Sequence, residues 1–212
     1  MHKTATIDLD TVRAVYAGPE YRLWELIMGE QIHVGGLESS MALADAARIA
    51  AGSRGVDLCC CTGAGMRFLL RFRDVAHMTG VDATAEVIEI GRARSQGEGL
   101  LDRVEFMLAD ACDTGLDEEC MDFAWGEDAW CYVADKPALI REAARLVRPG
   151  GTIAFTDWVA GEVPMNEDEA ERLLHFMKFP TFLNVNEYVA LLEGESLHVE
   201  HAGDTGRFAP SV

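Results

Sequence analysis

The sequence predicts an α/β protein built on a doubly wound, mostly parallel sheet. Two observations carry that expectation. Between Gly55 and Trp158, short apolar runs alternate with amphipathic stretches, the rhythm of strands joined by helical crossovers. Two of those runs close on an acidic residue, Asp82 and Asp110. An open parallel sheet holds its ligand at that place, outside the carboxyl ends of its strands.

Taken in order, "GVDLCC" reads as the first strand, followed by a helix over Gly65–Phe72. "AHMTGVD" and the helix "AEVIEIGRARS" follow, then the strand "VEFMLAD". "MDFAWG" is the fourth strand, "PALIREAARLV" the next helix and "GTIAFTDW" the fifth strand. Ahead of this core, "EYRLWELIMG" and "LESSMALADAARIA" place apolar residues at helical steps. Behind it, Asn166 stands as N-cap to "NEDEAERLLHFMKF", and "NVNEYVALLEG" is a short helix ending at Gly194. "SLHVEHA" has the alternation of a last strand. A single domain over residues 1–212 is expected. Residues 1–52 would form a helical lid, 53–160 the cofactor-binding core, and 161–212 the substrate-side helices and last strand.

The chain has 212 residues, 49% of them hydrophobic, enough for one substantial core. Its formal net charge of -18, with no basic run, argues against nucleic-acid partners and anionic membrane surfaces. The first residues lack the apolar core of a signal peptide, and no stretch reaches transmembrane length. A cytoplasmic location, as monomer or homodimer, is the expectation. Of six cysteines, Cys59, Cys60 and Cys61 are adjacent and no C-x-x-C pair occurs. Free thiols are expected rather than disulfides. Strand alternation would turn Cys60 away from its neighbours, so no metal site is expected.

After the first strand, "CTGAG" opens a helix whose N-terminal N–H groups favour an anionic ligand group. Asp82 suits a ribose diol, and Asp110 could accept from the exocyclic amine of adenine. Three such acids in successive strand-to-helix turns, counting Asp57, point to an adenosine-containing cofactor. The dinucleotide fingerprint G-x-G-x-x-G is absent, and "RLVRPGG" stands directly before the fifth strand.

With those motifs, Gly55–Trp158 resembles the class I S-adenosylmethionine-dependent methyltransferases, which share a Rossmann-like methyltransferase fold. The resemblance implies S-adenosylmethionine as cofactor. It implies a cofactor loop at Asp57, Cys59, Cys61 and Gly63, a ribose contact at Asp82 with Ala83, and an adenine contact at Asp110 with Ala111. Cys59 and Cys61 take the place of the family's first two loop glycines. They are expected to keep negative φ, leaving Gly63 as the position that needs glycine.

A narrower likeness lies in "YAGPEYRLWELIMGEQIHVGG" and "WGEDAWCYVADKPALIREAARLVRPGGTIAFTDW". Both are similar to the sarcosine/dimethylglycine and phosphoethanolamine N-methyltransferases, in which a helical insertion follows the fifth strand. The match implies Ile32, His33 and Glu127 at the cofactor end, Asp128 facing a substrate amine, and Tyr16 as a lid tyrosine. Tyr132 takes the place of a family histidine able to serve in acid–base chemistry. Leu174, Lys178 and Pro180 replace a phosphate-binding Tyr/Arg/Tyr cluster, leaving Lys178 as the substrate-side candidate. Trp130 and Trp158 are expected to surround a methylated ammonium by cation–π attraction.

The expected activity is methyl transfer to a small molecule, an amine above all, by in-line displacement. Asp128 or Tyr16 would accept the amine proton. Oxygen, carbon, sulfur or arsenic acceptors are the enzymatic alternatives. A non-catalytic nucleotide- or partner-binding protein is the alternative of another class.

Overall fold

The computed structural model describes residues 2–3, 7–161, 163 and 165–207. In chain order they form β1 (His2–Lys3), α1 (Leu9–Ala17), α2 (Pro19–Met28), α3 (Gly36–Ala46), β2 (Arg54–Leu58) and α4 (Ala64–Phe72). Next come β3 (His77–Asp82), α5 (Ala85–Gly97), β4 (Val104–Leu108), β5 (Met121–Glu127), α6 (Lys136–Leu146) and β6 (Val147–Thr156). The last are α7 (Glu167–Met177), β7 (Thr181–Phe182) and α8 (Val185–Gly194). A 3-10 turn at Trp130–Tyr132 follows β5.

Five strands lie in the order β4-β3-β2-β5-β6, all parallel. The chain runs outward from β2 through β3 to β4, then returns to the other side of β2 for β5 and β6. The strand order therefore reverses between β2 and β5, where a doubly wound sheet opens its ligand crevice. Gly55 to Leu58 are buried, as expected of a central parallel strand covered on both faces. Gly55 has to be glycine for packing: a Cβ there would lie 2.2 Å from the ring of Phe123 on the neighbouring strand.

Two cores result, one on each face. Met66, Phe68, Leu69, Ile88, Phe106 and Trp125 fill the first, beneath α4 and α5. Val56, Leu58, Trp130, Leu139, Ile140 and Tyr188 fill the second, beneath α6 and α8. A smaller cluster of Cys131, Leu174, Phe179 and Phe182, with Trp158 packed on it, ties the segment after β6 to the site. That segment is helical as expected. α7 and α8 both begin with reciprocal capping boxes, Asn166 with Glu169 and Asn184 with Glu187.

Two local expectations are corrected, and two elements had not been singled out. The first core strand ends at Leu58, not Cys60. Cys59 turns the chain with φ +66, and the N–H groups of Cys59 and Cys60 both donate to Val81 O. "SLHVEHA" forms no strand: Leu197 and Val199 alternate with exposed polar residues, but no strand edge pairs with them. Helix α1 lies within the stretch expected to be a helical lid but had no bounds of its own, although Asp8 caps it by accepting from Thr11 N–H and Gly18 ends it. The small antiparallel pair β1–β7 was also missed, because two-residue strands leave no periodic signal.

Candidate active site

A cavity of about 360 Å³ opens at the carboxyl ends of β2, β3 and β5, roofed by α1 and the turn after α2. It gathers nearly all of the residues singled out from sequence. Tyr16, Ile32, His33, Asp57, Cys59, Cys61, Asp82, Ala83, Asp110, Ala111, Glu127, Asp128 and Tyr132 all line it. Gly63 lies just behind, as the left-handed cap (φ +70) of α4. No side chain caps that helix, so its first N–H groups are left for a ligand.

The three-cysteine loop departs from expectation. Cys59 and Cys61 have φ +66 and +50, so both sit in the left-handed region along with Gly63. The loop keeps the backbone path of a glycine-rich turn and holds cysteine in it, at a steric cost. Ile32 (φ +44) and Asp128 (φ +49) face the same cavity. For a β-branched residue such as Ile32 that conformation is rare, and such strain concentrates at functional sites. Cys60 points the other way, into the core beside Gly80 and Met66. Burial pushes all three thiols well above their usual range, so they are held as neutral –SH groups.

Asp82 anchors the second turn. Its Oδ2 accepts from Cys61 N–H at 2.9 Å and its Oδ1 from Thr84 N–H at 2.8 Å. The carboxylate thereby braces the cysteine loop, and each oxygen keeps lone-pair capacity for a hydroxyl. Arg13 of α1 donates to Ala83 O at 2.9 Å, drawing the roof onto this turn. Asp110 ends its turn with Oδ1 accepting from Cys112 N–H at 2.8 Å.

A buried polar network joins the roof to the end of β5. Glu127 Oε2 accepts from Trp125 Nε1–H at 3.1 Å and from Ser40 Oγ–H at 3.2 Å. His33 Nε2 lies 3.1 Å from Ser40 Oγ and 3.4 Å from Glu127 Oε1. Two buried atoms of this network, His33 Nδ1 and Glu127 Oε1, have no hydrogen-bond partner. Buried polar atoms are rarely left so without a ligand or water to meet them.

The family matched by residues 56–155 is described as "Methyltransferase domain". Residues 56–155 of this chain are thereby matched to a methyltransferase domain. It is 33% identical to methyltransferase GfsG of Streptomyces halstedii over 52% of its length, spanning 40% of that protein. Over 88% of its length it is 28% identical to the 27-O-demethylrifamycin SV methyltransferase of Amycolatopsis mediterranei, covering 73% of that protein. Phosphoethanolamine N-methyltransferase 1 of Triticum aestivum is 28% identical over 64% of this chain, which spans 27% of that protein. A solved structure from Galdieria sulphuraria, provisionally assigned as a sarcosine dimethylglycine methyltransferase, superposes with a TM-score of 0.76. It has 21% identity and covers 82% of this chain and 72% of its own, a likeness of fold.

The cavity of the methyltransferase fits S-adenosylmethionine on its own evidence. Gly65 leaves a cradle beside the carboxylates of Asp57 and Glu127: a Cβ there would lie 3.3 Å from an oxygen of each. The other oxygen of that carboxylate, Glu127 Oε1, accepts no hydrogen bond and lies 3.4 Å from His33 Nε2. Asp57 and Glu127 would hold the methionyl end, with Asp82 and Asp110 toward the nucleoside.

Three sequence candidates fall outside this cavity. Trp130 is fully buried in the second core, stacked on Phe155 with its Nε1–H donating to Leu58 O at 3.2 Å. It supports the end of β2 and does not face the cavity, because the 3-10 turn folds it back under the sheet. Trp158 packs against Phe179 in the small third cluster. Lys178 is the left-handed C-cap of α7 and lines a neighbouring cavity between α2 and α7. Trp125 is both core and cavity wall. Ser40, Gln31 and Thr84 were missed. Ser40 is a buried polar residue inside a helix, but nothing in its sequence neighbourhood distinguishes it from a surface serine.

Proposed function

We propose that the methyltransferase transfers its methyl group to the nitrogen of a small amine. The observation carrying this reading is the charge of the cavity wall. Beyond the four acids assigned to the cofactor, Asp8, Asp128 and Asp135 line it, and among the described residues no Lys or Arg does. Such a wall favours a cationic acceptor and disfavours one carrying a phosphate.

Bound S-adenosylmethionine supplies an electrophilic methyl on a sulfonium, open to in-line attack. The chain's own residues have to align the acceptor and exclude water. Tyr16 and Tyr132 meet edge to face with ring centroids 5.3 Å apart, and Tyr132 meets Phe179 in the same way at 5.0 Å. This aromatic corner suits a substituted ammonium. Burial raises both phenols well above their usual range, so Tyr16 keeps its proton and serves as a hydrogen-bond donor. Asp128 is then the group that holds the amine and takes its proton, one oxygen being already fixed by Val34 N–H.

A second reading is transfer to oxygen on a larger acceptor. The neighbouring cavity shares Tyr132 with the first and carries the apolar side chains Leu23, Trp24, Phe176 and Met177. A panel of amines, phenols and alcohols assayed for S-adenosylhomocysteine release separates the two. Turnover of a methylated glycine or another small amine is expected. Turnover of hydroxyl acceptors alone would overturn the amine assignment.

A further inference from the structure

The turn after β5 is held from beneath by one ammonium. Lys136 opens α6 and is 1% exposed. Its Nζ donates to Val133 O at 2.5 Å, to Cys131 O at 3.4 Å and to Thr181 O at 3.5 Å. An ammonium has three protons to give, so these carbonyls account for its donors. Meeting a buried charge with backbone carbonyls, with the charge of Asp157 nearby, is a costly arrangement. Its value lies in where the three carbonyls stand.

Cys131 and Val133 are the residues on either side of Tyr132. Thr181 follows Phe179, whose ring meets Tyr132 at 5.0 Å, and Pro180, which lines the same cavity as Tyr132. Lys136 therefore ties together the backbone behind both walls of the aromatic corner. Cys131 adds two further ties, its N–H donating to Asp157 Oδ1 at 2.9 Å and its Sγ–H to Asp128 O at 3.4 Å. The segment from Asp128 to Val133 is thus fixed from below, while Asp128 and Tyr132 line the cavity and Lys136 does not.

Resting on the amine reading above, we propose that Lys136 is a positioning residue of the acceptor site, setting the separation of Tyr132 from Phe179 and Pro180. The ammonium touches neither cofactor nor acceptor. It fixes the width of the aromatic corner, and with it the size of amine that reaches Asp128 in line with the methyl group. Misplacing reacting groups by about 1 Å costs on the order of a hundredfold in rate. A lysine that served stability alone would have no influence on acceptor size.

The test is steady-state kinetics on Lys136→Met, which keeps the stem and removes the donors, and on Lys136→Gln, which keeps an amide donor. For a small methylated amine, kcat/KM should fall about a hundredfold in Lys136→Met and less in Lys136→Gln. Affinity for S-adenosylhomocysteine, read by calorimetry, should stay within about threefold of the parent in both, since the ties lie on the acceptor side. For a bulkier benzylic amine the loss in kcat/KM should be at least about tenfold smaller, because the corner widens. In a Tyr132→Ala background Lys136→Met should cost less than about threefold, the wall it positions being gone. Equal losses for both amines, or the same loss with and without Tyr132, would make Lys136 a structural residue and overturn the proposal. Failure of both variants to fold would do the same. A parent that methylates only hydroxyl acceptors overturns the amine reading alone, and the comparison is then made with a small and a bulky alcohol. A parent that methylates nothing overturns both.

Discussion

Val34 donates its backbone N–H to Asp128 Oδ2 at 2.9 Å, linking the roof of the cavity to the residue after β5 across 94 positions of sequence. Asp128 therefore does two things at once: it fixes the roof and stands where the acceptor amine would meet it. Alanine and asparagine should separate these. Asp128→Ala leaves a part-buried N–H unsatisfied, a loss of about 1.5–3 kcal/mol for a bond to a charged group. Affinity for S-adenosylhomocysteine should then drop about tenfold or more. Asp128→Asn keeps an acceptor for Val34, so cofactor affinity should stay near wild type while amine turnover falls by roughly two orders of magnitude. Equal turnover in Asp128→Asn and the parent would remove Asp128 from the chemistry.

Cys59 and Cys61 at positive φ make an unusual expectation for stability. A left-handed conformation costs a non-glycine residue roughly 1–2 kcal/mol, and glycine returns part of that through its freer unfolded chain. Cys59→Gly and Cys61→Gly should each raise the unfolding free energy slightly, by up to about 1 kcal/mol. Cys60→Gly should lower it, because that side chain is buried against Gly80 and Met66. Urea titration of the cofactor-free protein reads all three. A loss of stability in both flanking variants would mean that their thiols make contacts outweighing the strain.

Gly65→Ala tests the cradle directly. The new methyl would sit 3.1 Å from Trp125 Nε1 and 3.3 Å from each carboxylate oxygen, in the space assigned to the methionyl end. Binding of S-adenosylhomocysteine should weaken by at least about a hundredfold with a melting temperature close to the parent's. An unaffected dissociation constant would place the methionyl end elsewhere.

Trp130 belongs to the core, so its replacement should register as stability rather than as substrate affinity. Trp130→Phe removes the hydrogen bond to Leu58 O and leaves that carbonyl without its donor, a cost of about 1–3 kcal/mol. Thermal unfolding should shift down while KM for the best acceptor changes less than about twofold. A large KM change with unaltered melting would restore the side chain to the acceptor site.

Asp157 carries a pH signature. It is half-buried after β6, accepting from Cys131 N–H at 2.9 Å and from the Tyr188 hydroxyl. Burial pushes its carboxyl from the ordinary 3.8 to about 6. The folded state thus binds the proton more tightly than the unfolded chain does. Its contribution to stability is full below pH 4 and is lost as pH rises to 6, spanning up to about 3 kcal/mol. Asp157→Asn, which preserves the shape, should flatten stability across that window when unfolding is followed by circular dichroism. An unchanged slope would show that Asp157 is not the group titrating.

The core strands and the helices between them were legible in sequence because each buries a face with a regular period. The acids closing β3 and β4 could be read one by one, since a parallel sheet fixes where strand ends point. The same logic failed at Trp130. An aromatic residue just beyond a strand can turn toward the cavity or beneath the sheet, and only the 3-10 turn at Trp130–Tyr132 decides between them.

The sequence by itself thus determined the sheet and the strand-end positions of Asp57, Asp82 and Asp110, which depend on local pattern and strand order, whereas the cofactor and the place of Asp128 were implied by the family resemblance. Tertiary structure alone decided the conformation of Cys59 and Cys61, whose N–H groups donate to Val81 O and to the Asp82 carboxylate of the neighbouring strand. It also decided the meeting of Ser40 and His33 with Glu127. The physical reason is range. Periodicity and capping act over a few residues, whereas a buried polar network is set by which distant side chains the closed roof brings within hydrogen-bond distance.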